Sequence, residues 1–147
     1  MSLPKMIRPP NPNDLNFIYS SWLNSYNDHN KFQPIKGPAY YGYHKLLINK
    51  LLNQSLVSVI CNPDDTEQIL GYAIYQIQND SLILHWLYIK YSFRQLGLSK
   101  YLINSLLDNI KNKTFIITLK GSNYDLYKDK YDHTYNPKLA FSKENDV

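Results

Sequence analysis

The stretch Tyr88-Ile89-Lys90-Tyr91-Ser92-Phe93-Arg94-Gln95-Leu96-Gly97-Leu98-Ser99-Lys100-Tyr101-Leu102 is the most informative part of the chain. It reads as the end of a buried strand, a short loop, and a helix that opens at a glycine followed two residues on by a small side chain. The first turn of a helix exposes unpaired backbone N–H groups and the positive end of the helix dipole. Where such groups face a cavity they form an anion site. Gly97 lets a ligand approach the backbone, Ser99 keeps the second contact small, and Arg94 and Lys100 add positive charge. The same residues also suit a plain strand-to-helix turn eased by Gly97, and both readings stand at this point.

Upstream of this stretch lie three β-rich runs. Leu56 to Cys61 is closed by the turn Asn62-Pro63-Asp64-Asp65, and Ile69 to Ile77 answers it as an antiparallel partner. After Asn79-Asp80, the run Leu82 to Ile89 is apolar on both faces, as a central strand requires. Downstream, the helix from Gly97 should reach about Asn112, with Leu98, Tyr101, Leu102, Leu106 and Ile110 on its inner face. A last strand follows at 114–119. Towards the N-terminus, Met6-Ile7-Arg8 suits a short strand, and Pro9, Pro10 and Pro12 forbid regular pairing. Asn13 or Asp14 suits a helix N-cap, with Leu15, Ile18, Tyr19, Trp22, Leu23 and Tyr26 at helical spacing. Residues 27–38 have loop chemistry, and 39–53 read as a second helix burying Tyr43, Leu47, Ile48, Leu51 and Leu52.

The order is therefore β-α-α-β-β-β-α-β within one domain, residues 1–147, with an irregular extension at 120–147. The expected fold class is α/β with a mixed (α+β) sheet: an antiparallel meander, then a parallel strand pair joined by a helical crossover, with helices on both faces.

Composition limits what such a domain can do. A chain of 147 residues buries roughly 68–70% of its unfolded surface, enough for a core without metal or disulfide staples. Cys61 is the only cysteine, which excludes an internal disulfide or a multi-cysteine zinc site. His29, His44 and His133 are scattered without metal-ligand spacing, so no metal is expected. No apolar run approaches the ~18–20 residues of a membrane span, and Met1 to Met6 has no apolar export segment, so the expected compartment is the cytoplasm.

Charge is uneven along the chain. Residues 1–80 hold six Lys/Arg and six Asp/Glu, whereas 81–147 hold ten against six and supply the whole net charge of +4. Lys90, Arg94, Lys100, Lys111 and Lys113 face only Asp108, a cationic zone that suits a phosphate-bearing ligand or a solvated helix face. The abundance of Asn, Lys, Tyr and Ile fits an AT-rich genome.

Three stretches resemble one family in register. Arg94-Gln95-Leu96-Gly97-Leu98-Ser99 is similar to the R/Q-x-x-G-x-G/A signature of the GNAT superfamily, the acyl-CoA-dependent N-acetyltransferases. Ile7 to Leu15 resembles that family's strand, Pro-rich turn and Asp-Leu opening, and Gln68-Ile69-Leu70-Gly71-Tyr72-Ala73 its "ivGy" strand. The resemblance covers roughly 6–119 and looks like the small members found in phage genomes. It implies that acetyl-CoA is the cosubstrate, with its diphosphate on backbone N–H groups of Gln95, Leu96, Gly97, Leu98 and Ser99. It also implies a pantetheine arm paired with Leu87, Tyr88 and Ile89, and a splay between that strand and 114–119. A main-chain N–H near Ile89 would serve the oxyanion formed when an amine attacks the thioester.

The catalytic positions depart from the family pattern. Neither 69–77 nor 82–89 contains Asp or Glu, which leaves His85 as the candidate base beside its reading as a satisfied core residue. Tyr127 and Tyr131 are the candidate acids for the departing thiolate. Ser99 stands where Gly or Ala is usual, and little after Tyr135-Asn136-Pro137 suits a final strand. Three functions follow: acetyl transfer to an amine of a small molecule or protein, a non-catalytic GNAT-like module that binds a protein partner such as a virion component or host factor, and, ranked last, nucleic-acid binding through 90–113.

Overall fold

Three prolines that cannot extend a strand confine β1 to Met6–Arg8. The computed structural model describes residues 3–29 and 38–141. A 3-10 turn, Pro12–Asp14, leads into α1, Leu15–His29, and the cap is Asn11 rather than Asn13 or Asp14. The Asn13 N–H donates to Asn11 Oδ1 at 3.0 Å, and the Asn11 N–H donates to the Asp14 carboxylate at 2.7 Å. Placing the cap one residue before Pro12 puts the missing proline N–H where no acceptor is needed. Arg8 grips the same carboxylate with two bonds of 2.7 and 2.9 Å.

The second helix, α2, is Pro38–Gln54. Residues 27–29 and 38, expected in a loop, are helical, and the rest of that loop lies outside the described residues, as does the tail from 142. The meander follows as β2 (Leu56–Asn62), β3 (Asp65–Gln78) and β4 (Ser81–Ile89). Then come α3 (Leu98–Leu107), β5 (Phe115–Ile117), β6 (His133–Tyr135) and α4 (Lys138–Phe141). The six strands lie in sequence order, antiparallel from β1 to β4 and parallel across β4–β5 and β5–β6.

Two further elements differ from expectation. The helix α3 stops at Leu107 because the Lys113 ammonium donates to the carbonyls of Leu107 and Ile110 at 2.6 and 2.7 Å and closes its end. Its inner face is Leu98, Ser99, Leu102, Ile103, Leu106 and Leu107, while Tyr101 lies at the rim under the Lys5 ammonium. The final strand is present, but it precedes Asn136-Pro137 and pairs parallel to β5.

The sheet separates two apolar layers. Leu70, Ala73, Leu82, Leu84, Leu87 and Ile89 pack against α3, while Val59, Tyr72, Ile74 and Trp86 pack against α1 and α2. Trp86 stacks on Trp22 at 5.5 Å with 11° between the rings. On that face Gly121 allows a close approach that no other residue would, because a Cβ there would meet the Trp86 ring.

The Asp14 carboxylate is 1% exposed, and its hydrogen bonds from Arg8 hold its pKa below the ordinary value of 3.8. A depressed carboxylate stabilises the fold above its unfolded pKa and ceases to do so as pH falls through its folded one. Asp14→Asn should therefore cost about 2 kcal/mol at pH 7 and much less at pH 2–3, read as urea midpoints. An equal cost at both pH values would remove this role.

Candidate functional site

The site begins with one extra residue in β4. Ile74 pairs with Trp86 and Tyr75 with Leu84, so His85 is bulged out of the β3–β4 ladder. The bulge reverses the in–out alternation, which is why Leu82 and Leu84 share the α3 face with Leu87 and Ile89. On the other edge, β4 pairs with β5 only at Ile83–Ile116 and Leu84–Ile117, and the Thr118 N–H closes the ladder on the Leu84 carbonyl at 3.2 Å. Beyond this point the two strands part. Residues 121–126 enter the opening, and the Ile89 N–H donates to Asn123 Oδ1 at 3.0 Å.

After Ile89 the chain makes a 3-10 turn at Tyr91–Phe93, and Arg94 ties back through Nε to the Ile89 carbonyl at 2.9 Å. Gln95 and Gly97 adopt left-handed conformations, φ 65° and 79°. Together they turn the chain sharply into α3. Among the described residues, the amides of 95–100 donate to no backbone carbonyl. They sit beside a pocket of about 210 Å³ walled by Ile89, Arg94, Gly97, Ser99, Asp125 and Lys130. The lining carries both signs, Asp125 as well as Arg94 and Lys130, and Asp125 also pairs with Lys128 at 3.0 Å.

The expected site residues separate into groups. Ile89, Arg94, Gln95, Gly97, Leu98 and Ser99 meet at this pocket. Leu96 and Lys100 point to solvent, and Leu87 is buried under α3. Tyr88 faces the opposite side of the sheet, where it joins Ser20, Ser21, Asn24, Ser25, Tyr91 and Arg94 around a second pocket of about 540 Å³. Nothing in the sequence signalled that second pocket, or the parts of Asn123, Asp125 and Lys130, since the polar stripe on α1 has the spacing of any solvated helix face.

The candidate catalytic side chains lie away from both pockets. His85 is 0% exposed, with Nδ1 2.7 Å from Thr118 Oγ1 and Nε2 2.9 Å from Gln76 Oε1. Burial, with a smaller push from Lys50, lowers its pKa to about 4. With Nε2–H donated to Gln76, Nδ1 accepts from Thr118 and the ring is neutral. Tyr127 is buried in the α3 layer against Phe115, and burial raises its phenol well above the usual value. The Tyr131 hydroxyl donates to Asn104 Oδ1 at 2.7 Å on the outside of α3. Ile89, expected to offer its N–H to an oxyanion, has that N–H satisfied by Asn123. Among the described residues no three His, Cys, Asp or Glu side chains are arranged to hold a metal, and no helix is long and apolar enough to cross a membrane.

Solved structures share this architecture. A candidate acetyl transferase from Pyrococcus furiosus superposes with a TM-score of 0.66 at 15% identity, covering 86% of this chain and 91% of that one. The ribosomal-protein-alanine N-acetyltransferase of Brucella melitensis biovar Abortus 2308 gives 0.56 at 15%, covering 86% and 90%. The fold is that of the GNAT acetyltransferases. The apo form of Escherichia coli YjaB gives 0.51 at 17%, covering 71% of this chain, which spans 65% of YjaB. Identities this low establish the GNAT architecture alone. Neither a family model nor a curated protein matches the sequence.

A neutral histidine buried in place of one with an unfolded pKa near 6.5 makes the GNAT-fold domain acid-labile. Its contribution is present above pH 6.5 and is lost as pH falls towards 4. Urea unfolding should show a loss of about 2–3 kcal/mol between pH 7 and 4.5, absent in His85→Gln. A wild-type profile flat across that window would contradict the buried neutral ring.

Proposed function

We propose that the chain is an N-acetyltransferase that binds acetyl-CoA by its diphosphate at residues 95–99. The observation that carries this reading is the pocket beside Gln95–Ser99, where two left-handed residues and the first turn of α3 leave amides without backbone partners. The residues suit the group. An ideal Cβ on Gly97 would meet nothing within 4 Å, so the backbone there is open to a ligand, and Arg94 and Lys130 supply the charge. Bound there, acetyl-CoA supplies the thioester that an amine attacks.

The chain's own residues then position and exclude. The Arg94–Ile89 bond fixes the loop to the end of β4, and Ile89 with Leu98 forms an apolar wall. An extended arm along β4 requires Asn123 to release the Ile89 N–H, and the same N–H is then available to a ligand carbonyl. No histidine or carboxylate among the described residues lines the second pocket. In this reading the proton of the amine leaves to solvent. Logarithmic kcat/KM should rise with unit slope up to the pKa of the amine itself, and His85→Gln should keep that profile. An inflection between pH 6 and 7 that disappears in the variant would restore His85 as base.

The closure of the strand edge by Asn123 favours a second reading, a GNAT-like module that binds a protein partner without turnover. Calorimetry separates the two. The first reading predicts heat on titration with acetyl-CoA and a weaker signal with Gly97→Ala. That variant should lose about 1–2 kcal/mol of stability from its left-handed backbone, and still more in affinity where the methyl meets the diphosphate. No heat with the wild-type chain at millimolar acetyl-CoA would leave only the second reading.

A further inference from the structure

The second pocket is chemically one-sided. From α1 it receives the hydroxyls of Ser20 and Ser21, and from the far end of β4 and the following loop it receives Tyr88, Tyr91 and Arg94. Ser20 donates its proton to the Asn16 carbonyl at 2.9 Å, and Ser21 donates to the Phe17 carbonyl at 2.6 Å. With its proton directed back into the helix, the Ser20 oxygen presents lone pairs to the pocket and acts there as an acceptor, whereas the Ser21 oxygen also lies 2.9 Å from the buried Tyr72 hydroxyl. Ser20 is thus a partner for an N–H group.

The opposite wall carries a positive charge. Arg94 is the one charged side chain lining the pocket among the described residues, and no carboxylate there pairs with it. Its Nε is held by the Ile89 carbonyl, and the guanidinium lies 5.8 Å from the Tyr88 ring centre and 5.4 Å from that of Tyr91. Pinned at Nε and flanked by two rings, it keeps its outer nitrogens oriented for a planar or tetrahedral anion. A polycationic amine would find no carboxylate on the described walls and would meet Arg94 as a like charge.

We propose that this pocket takes a small amine that also bears a carboxylate or phosphate, with the amine at Ser20 and the anion at Arg94. The word acceptor for that molecule rests on the acetyltransferase reading, but the charge selectivity does not. Arg94 lines both pockets, so the amine compound binds next to the proposed diphosphate site, on the other side of one side chain.

Amide correlation spectra of the full chain, titrated with 4-aminobutyrate, O-phosphoethanolamine and putrescine, test this without acetyl transfer. 4-Aminobutyrate and putrescine have equal numbers of carbons and opposite charge at the far end. The anionic amines should shift resonances of 20–25, Tyr88 and Tyr91 with an affinity about tenfold above putrescine. Comparing the two anionic amines tells whether carboxylate or phosphate is preferred. Arg94→Gln should remove the preference for both, and Arg94→Lys should retain most of it. Equal or tighter putrescine binding, shifts confined elsewhere, or no shifts at all would overturn the proposal. A parallel titration with acetyl-CoA should shift 95–99. Its failure alone would remove the acetyltransferase reading and leave the selectivity of the pocket standing.

Discussion

A sheet can admit a ligand between two neighbouring strands only where their ladder has stopped, and in this protein the β4–β5 ladder stops beside His85. As the extra residue of β4 it reverses the alternation of everything after it, so Trp86 and Tyr88 face α1 while Leu87 and Ile89 face α3. The ring satisfies both nitrogens inside the sheet, with Thr118 from the departing β5 side and Gln76 from β3. That pairing makes the bulge a fixed feature of the strand. Both pockets lie downstream of it, one on each face.

The opening is also defended. A parted strand edge leaves N–H and C=O groups that demand partners when buried. Asn123 meets that demand at Ile89, and Gly121 allows the same segment to lie against Trp86 with no side chain between. The free protein thus satisfies internally a group that an extended ligand would otherwise occupy. Ligand entry exchanges one hydrogen bond for another, which is close to neutral in energy, rather than burying a donor without a partner.

Much of the architecture was legible because it follows from periodicity and turn chemistry. The prolines after Arg8, the turn at 62–65, the two-faced apolarity of 82–89 and the glycine at 97 each point to one local structure, and together they specify the order of strands and helices. The turn beside the loop pocket was legible for the same reason, since a glycine between a strand and a helix acts through the backbone. What stayed hidden depends on contacts distant in sequence. The bulge at His85 cannot be seen in an unbroken apolar run, and β6 is three residues whose pairing is set by β5. The settings of Tyr127 and Tyr131 were equally hidden, because four similar tyrosines follow Gly121 and only packing decides which hydroxyl is buried.

Arg94 is a party wall between two rooms, and that has a thermodynamic consequence. Any occupant that draws the guanidinium to its own side alters what the neighbour finds there. If both proposed ligands bind, their free energies are not independent, and whatever factor one imposes on the other is returned in equal measure. A single side chain, held by one carbonyl and two aromatic rings, would then be enough to make the two ligands communicate.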